Sequence, residues 1–183
     1  EPFLRILDLG TGSGAIAVSL AHYLPQAKIT AVDIQKGALE VAKENAELNG
    51  AAHSIEFLHG DMFAPLALPG SQRKFDIIVS NPPYIPTGEI DSLMREVRNY
   101  EPIKALDGGL DGLDYYRQIA REAGNYLEED GFVAMEMGAG QSQSIGQIFL
   151  NLDITWQSVE IIQDPAGIDR IAIIYKRQGV CTC

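Results

Sequence analysis

An α/β fold on a mostly parallel sheet is what this chain predicts, and three observations carry it. Short apolar runs alternate with segments of helical periodicity from residue 4 to residue 137. A glycine-rich turn, GTGSG, joins the first run to the first helical segment. Two apolar runs then follow each other near the end with only QDPAG between them, which adds an antiparallel pair at one edge of the sheet.

Taken in order, residues 4–9 read as a buried strand bounded by the glycines. Residues 15–24 carry apolar side chains at helical spacing and stop before Pro25. Residues 28–32 form a second β-rich run ending at Asp33. Residues 37–48, rich in Ala, Glu, Leu and Lys, predict a helix closed by Asn49-Gly50. The third strand is 54–59 and the fourth 75–80. From Asn81 to about residue 112 the chain reads as loop, longer than an ordinary connection, which favours a functional lid. A helix over 113–127, a strand over 132–137, a helix over 142–150 and strands over 154–162 and 168–176 complete a seven-stranded sheet with an antiparallel edge strand and helices on both faces.

The chain has 183 residues, 46% hydrophobic and 21% charged, a composition that suits one soluble domain with a real core. No apolar run approaches the ~18 residues of a membrane helix, and the start lacks the marks of an export signal. The net charge of −11 argues against a phosphate-backbone partner, whose binding leaves a basic footprint. Cys181 and Cys183 stand together at the end, read as a frayed tail in a reducing cytoplasm rather than a disulfide framework. EPFLRILDLG enters a strand with no lead-in, as expected of a domain with neighbours upstream.

Gly10, Gly12 and Gly14 let the backbone turn with positive φ and come close to a ligand at the strand ends, where open α/β sheets bind nucleotides. Asp33, at the end of the second strand, suits the two hydroxyls of a ribose. The same letters satisfy G-x-G-x-x-[GA], so a nicotinamide dinucleotide stays open. Asp8 lies on a buried strand and either braces the loop or faces a cationic ligand. Asp61 could accept from an exocyclic amine, or cap a turn. Met62 or Phe63 could cover a flat base, or pack in the core.

NPPY, residues 81–84, is the second motif. A residue before proline is pushed away from the α region, so Asn81 and Pro82 are both held extended. Pro82 and Pro83 have no N–H, and their carbonyls remain as acceptors. The stretch is a stiff ledge of oxygens, with the Asn81 amide and the Tyr84 ring added. Two acceptors orient a planar NH2 group, and those bonds strengthen as the nitrogen attacks an electrophile.

With these motifs the chain resembles the class I S-adenosylmethionine-dependent methyltransferases, which have a Rossmann-like fold. Within them it is similar to the HemK/PrmC family of protein N5-glutamine methyltransferases, on LDLGTGSGAIAVSLA, VDI, SNPPYIP, YEP, ALDGGLDGLDYYRQI and AGIDRIAIIYK. NPPY is shared with nucleic-acid amino methyltransferases; the narrower likeness rests on NPPYIP with YEP and DGGLDGLDYYR. The resemblance implies that residues 1–178 form the methyltransferase domain, that 179–183 are a flexible tail, and that the family's N-terminal helical domain is absent. It implies that Gly10, Thr11, Gly12, Ser13 and Gly14 line the methionine and ribose parts of S-adenosylmethionine. Asp8 joins this cofactor set, Asp33 binds the ribose, Asp61 and Met62 flank adenine, and Asn81 stands near the methyl. Asn81, Pro82, Pro83 and Tyr84 would take the glutamine of a release factor's GGQ motif, with Asn81, Pro82 and Tyr84 carrying the catalysis and S-adenosylhomocysteine as the product. No metal, membrane or direct nucleic-acid contact is expected. Met62 stands where an aromatic is common, and Pro165 where a bulkier residue is.

Two other readings remain: an amino methyltransferase for adenine or guanine, and a dinucleotide-binding module that gives NPPY no task. Glu101 and residues 107–114 form either a moving lid or a static turn. Glu136, Tyr115, Tyr116 and Arg170 are expected in structural roles, and His22, His53 and His59 lack metal-ligand spacing.

Overall fold

The structure is a computed structural model describing residues 3–67, 73–93, 102–152 and 156–177. Glu101, the expected strand start at residue 154 and the Cys181/Cys183 tail lie outside these residues. Seven strands, β1 (Arg5–Leu9), β2 (Lys28–Asp33), β3 (Ile55–His59), β4 (Phe75–Ser80), β5 (Leu127–Glu136), β6 (Trp156–Gln163) and β7 (Asp169–Lys176), form one sheet of order β3-β2-β1-β4-β5-β7-β6. The first five run parallel. β7 is antiparallel to both β5 and β6, so the late pair adds at one edge as expected. The order reverses direction at β1, and the crevice beyond the ends of β1 and β4 is where such a sheet binds ligands.

The helices are α1 (Ala15–Tyr23), α2 (Lys36–Leu48), the single turn α3 (Ile103–Leu106), α4 (Asp114–Glu122) and α5 (Ser142–Leu150). Side chains alternate across a strand. Ile6 of β1 therefore packs with Ala17, Val18 and Ala21 of α1, whereas Leu7 and Leu9 join Tyr116 and Ile119 of α4 and Ile145 and Phe149 of α5. Both faces of the central strands are thus covered, the usual state of parallel strands. Trp156 closes the second core, its ring edge-on to Phe149 and its Nε1–H donating to the Ala120 carbonyl at 3.0 Å.

Between residues 113 and 136 the structure departs from expectation. The helix stops at Glu122, a 3-10 turn spans Ala123–Asn125, and β5 begins at Leu127 rather than at residue 132. Leu127 is fully buried and pairs with Phe75, and an irregularity between Phe75 and Ile77 absorbs the polar EEDG. Gly131 permits it: a Cβ there would stand 2.9 Å from Leu127 Cδ2.

Candidate active site

The glycine loop is built by its own backbone. Gly10, Gly12 and Gly14 all have positive φ, at 67°, 56° and 80°. The Gly10 and Thr11 amides both donate to the Val32 carbonyl, at 2.9 and 3.0 Å, tying the loop to the end of β2. At Gly14 a Cβ would come within 3.0 Å of Ala42 Cβ, so this glycine lets α1 and α2 approach. Asn45 of α2 braces the loop by donating from Nδ2 to the Ser13 carbonyl at 2.9 Å.

Asp33 meets the loop from the side. Its Oδ2 accepts the Gly12 N–H and its Oδ1 the Gln35 N–H, both at 2.8 Å. Each oxygen keeps acceptor capacity, and the residue still lines the cleft. Asp8 stands behind the loop instead. It is wholly buried and does not line the cleft; Oδ2 accepts the Thr11 hydroxyl at 2.6 Å, and the Ala17 backbone N–H of α1 also faces the carboxyl. Burial pushes its carboxyl up to about 6 against the opposing pull of the Thr11 hydrogen bond.

At the end of β3, exposed Asp61 and buried Met62 both line the cleft, and Met62 adopts a positive φ of 45°. The Ala64–Leu66 turn that follows has no side-chain cap, so Asp61 is not held as one. Phe63 is a core residue, stacked on Tyr126 with ring centroids 5.0 Å apart. Of the two tyrosines opening α4, Tyr116 is buried and donates to the Glu136 carbonyl at 2.9 Å, as a packing role requires. Tyr115 faces the other way and lines the cleft with Asp61 and Met62. Adjacent helical residues point to different sides, a signal that would have separated the pair.

Asn81, Pro82, Pro83 and Tyr84 follow β4, whose last residue, Ser80, is fixed to β1 through Oγ–H to the Leu9 carbonyl at 2.8 Å. Residues 107–112 lie along this ledge as a strap. Ile85 N–H donates to Leu106 O at 3.0 Å, Gly108 N–H to Ile85 O at 2.9 Å and Thr87 N–H to Gly109 O at 2.9 Å. Asp107 Oδ1 accepts from the Thr87 hydroxyl at 2.7 Å and the Gly109 N–H at 3.0 Å. The contact is too close for side chains: a Cβ on Gly108 would lie 2.8 Å from the Pro83 carbonyl oxygen. These glycines thus serve close packing, and the segment clamps the ledge along its length. Gln141 also reaches the ledge, a contact that nothing in the local sequence signals. Arg170 pairs with Asp164 of the QDPAG turn at 3.1 Å. Burial, aided by the nearby Glu136 carboxylate, raises the Tyr84 phenol.

Two cavities meet at the ledge. One, of about 630 Å³, runs past Gly12, Asp33, Asp61, Met62 and Tyr115. The other, of about 600 Å³, runs past Thr11, Ile16, Tyr84, Ile85 and Leu106. Gly10, Gly12, Ser13, Asn81, Pro82 and Pro83 line both. Among the described residues no group of three or more His, Cys, Asp or Glu is placed to hold a metal, and no helix is long and apolar enough to cross a membrane.

A family model, the methyltransferase small domain, matches residues 2–97 of the 183, more than half of the chain. The chain belongs to the methyltransferase small domain family. This methyltransferase domain is 46% identical over 171 residues to the Release factor glutamine methyltransferase of Gloeobacter violaceus, covering 93% of this chain and 58% of that protein. It is likewise 46% identical over 166 residues to the protein of that name from Geobacter sulfurreducens, covering 91% and 56%. The domain therefore spans a little over half the length of these relatives, and the narrower likeness read from NPPYIP and DGGLDGLDYYR extends along nearly all of it. A solved structure, Methyltransferase from Pyrococcus furiosus, shares the fold at a TM-score of 0.69 and 20% identity, over 98% of this chain and 77% of that one.

Proposed function

We propose that the domain transfers a methyl group from S-adenosylmethionine to the side-chain amide nitrogen of the glutamine in the GGQ motif of a peptide-chain release factor. The observation that carries this reading is that Asn81, Pro82 and Pro83 line both cavities at once. A group held on the ledge faces a nucleoside-sized space on one side and an acceptor space on the other.

The larger cavity fits the donor. Asp33 is buried yet open to the cleft with spare lone pairs for a ribose diol, and a Cβ added at Gly10 or Gly12 would meet nothing within 4 Å, so the backbone there lies open to a ligand. Asp61, Met62 and Tyr115 supply an acceptor, an apolar thioether and an aromatic wall for a base. When bound, the donor supplies an electrophilic methyl on a sulfonium. Among the described residues the second cavity is lined by no charged side chain, which suits a neutral amide rather than a phosphate-bearing strand.

On the ledge, Asn81 Oδ1 and the Pro82 carbonyl each accept one N–H of the amide, and the Tyr84 ring lies against its plane. As the nitrogen begins to bond, its N–H groups become more acidic and both hydrogen bonds strengthen, so the ledge favours the transition state over the ground state. Holding the nitrogen in line supplies much of the remaining effect. The surplus proton leaves to water. The catalytic unit is residues 1–178, and its target places its work in the cytoplasm.

The test is incubation with isotopically labelled donor and purified release factor, followed by peptide mass spectrometry. One methyl on the GGQ glutamine is the expected result. Label on adenine or guanine of added nucleic acid, with none on the release factor, overturns the reading in favour of a nucleic-acid amino methyltransferase.

A further inference from the structure

Gln141 stands at the start of α5, 57 residues from Tyr84 in sequence, and uses both ends of its amide. Oε1 accepts the Gly138 N–H at 3.0 Å. Nε2 donates to the Tyr84 carbonyl at 2.9 Å and reaches the Gly112 carbonyl at 3.4 Å. One side chain thus joins the segment after β5, the ledge and the strap.

Space around it is closed. A Cβ on Gly138 would stand 2.9 Å from Gln141 Oε1 and 3.1 Å from Tyr84 Cδ2. A Cβ on Gly112 would run into the Tyr84 carbonyl oxygen and stand 2.9 Å from Gln141 Nε2.

The peptide unit linking Tyr84 to Ile85 is therefore held on both edges: its C=O by Gln141, its N–H by the Leu106 carbonyl at 3.0 Å. A planar unit pinned on both edges resists rotation, which holds ψ at Tyr84 and with it the direction in which the Tyr84 side chain leaves the backbone. The geometry points to Gln141 as a positioning residue that aims the Tyr84 ring at the acceptor by locking this peptide plane. It does not touch the donor cavity. The catalytic consequence rests on the proposed amide transfer; the locking itself does not.

Gln141→Glu tests this. It keeps the length and the acceptor for Gly138 N–H, but turns an oxygen towards the Tyr84 and Gly112 carbonyls. Amide hydrogen exchange at Ile85 and Gly108 should quicken about tenfold, the effect of losing one good hydrogen bond, while exchange in β1 and β4 stays unchanged. Turnover on release factor should fall about a hundredfold, the scale of a misplacement near 1 Å, with S-adenosylhomocysteine affinity within twofold of the parent. Unchanged exchange at Ile85 overturns the proposal. So does faster exchange throughout the sheet, or loss of cofactor affinity in step with turnover, since either marks a merely structural side chain. Gln141→Met, neutral and of similar length, serves if the Glu variant does not fold, with the same expectations. If the parent protein leaves release factor unmethylated, the functional reading fails, and the exchange measurement still decides the role of Gln141.

Discussion

Asn81 lies where the two cavities join, and in the proposed transfer its amide oxygen is an acceptor whose bond matters most in the transition state. Asn81→Ala should lower turnover about a hundredfold or more, the scale seen on removing one such stabilising group, while S-adenosylhomocysteine binds within a few-fold of its usual affinity by calorimetry. Asp33 belongs to the other half of the site. Asp33→Ala removes a charged acceptor, worth about 1.5–3 kcal/mol per bond, and should weaken S-adenosylhomocysteine by roughly ten- to a hundredfold; an unaltered dissociation constant removes the ribose assignment. Asp8 gives a pH signature instead. Its folded-state value, about 6, lies above the ordinary 3.8, so its stabilising contribution is full below 3.8 and is lost as pH rises through 6. Above that the fold carries a buried carboxylate at a cost of about 3 kcal/mol, at 1.36 kcal/mol per unit. Urea titrations from pH 4 to 7 should show the stability of Asp8→Asn rising relative to the parent across that window.

At the scale of elements, the strap over residues 107–112 and the ledge it grips behave as one piece. Gly112→Ala forces a side chain onto a positive φ of 74° and against the Tyr84 carbonyl, and should lower stability by about 1–3 kcal/mol in denaturant melts while depressing turnover. Arg170→Ala breaks a half-buried pair with Asp164 and should cost about 1 kcal/mol by the same measurement. The two cases show what a sequence makes legible. The glycine loop, Asp33 and NPPY were readable because each is a local string whose chemistry follows from its own residues. The DGGLDG segment was readable as unusual but not as a clamp, because its glycines answer to Pro83 and Tyr84, far away in the chain. Gln141 gave no signal for the same reason. The early start of β5 was missed because EEDG carries no apolar pattern, and only the burial of Leu127 against Phe75 draws it into the sheet.

For the molecule as a whole, a ligand that binds only the folded state stabilises it in proportion to occupancy. At a hundred times its dissociation constant S-adenosylhomocysteine should add about 2.7 kcal/mol, a rise in Tm of roughly 5–10 °C for a chain of this size. The same excess of NAD should add nothing; a shift with NAD and none with S-adenosylhomocysteine would return the chain to the dinucleotide-binding reading. The net charge of −11 sets a second global trait, since attraction of a basic partner weakens as salt rises. The proline-backed ledge has a last consequence. A pair of acceptors, Asn81 Oδ1 and the Pro82 carbonyl, counts hydrogens: a primary amide satisfies both oxygens, whereas the same nitrogen, once alkylated, has a single proton left to offer. On the proposed transfer the second round would therefore begin with half the grip lost, which would hold the product at one substitution.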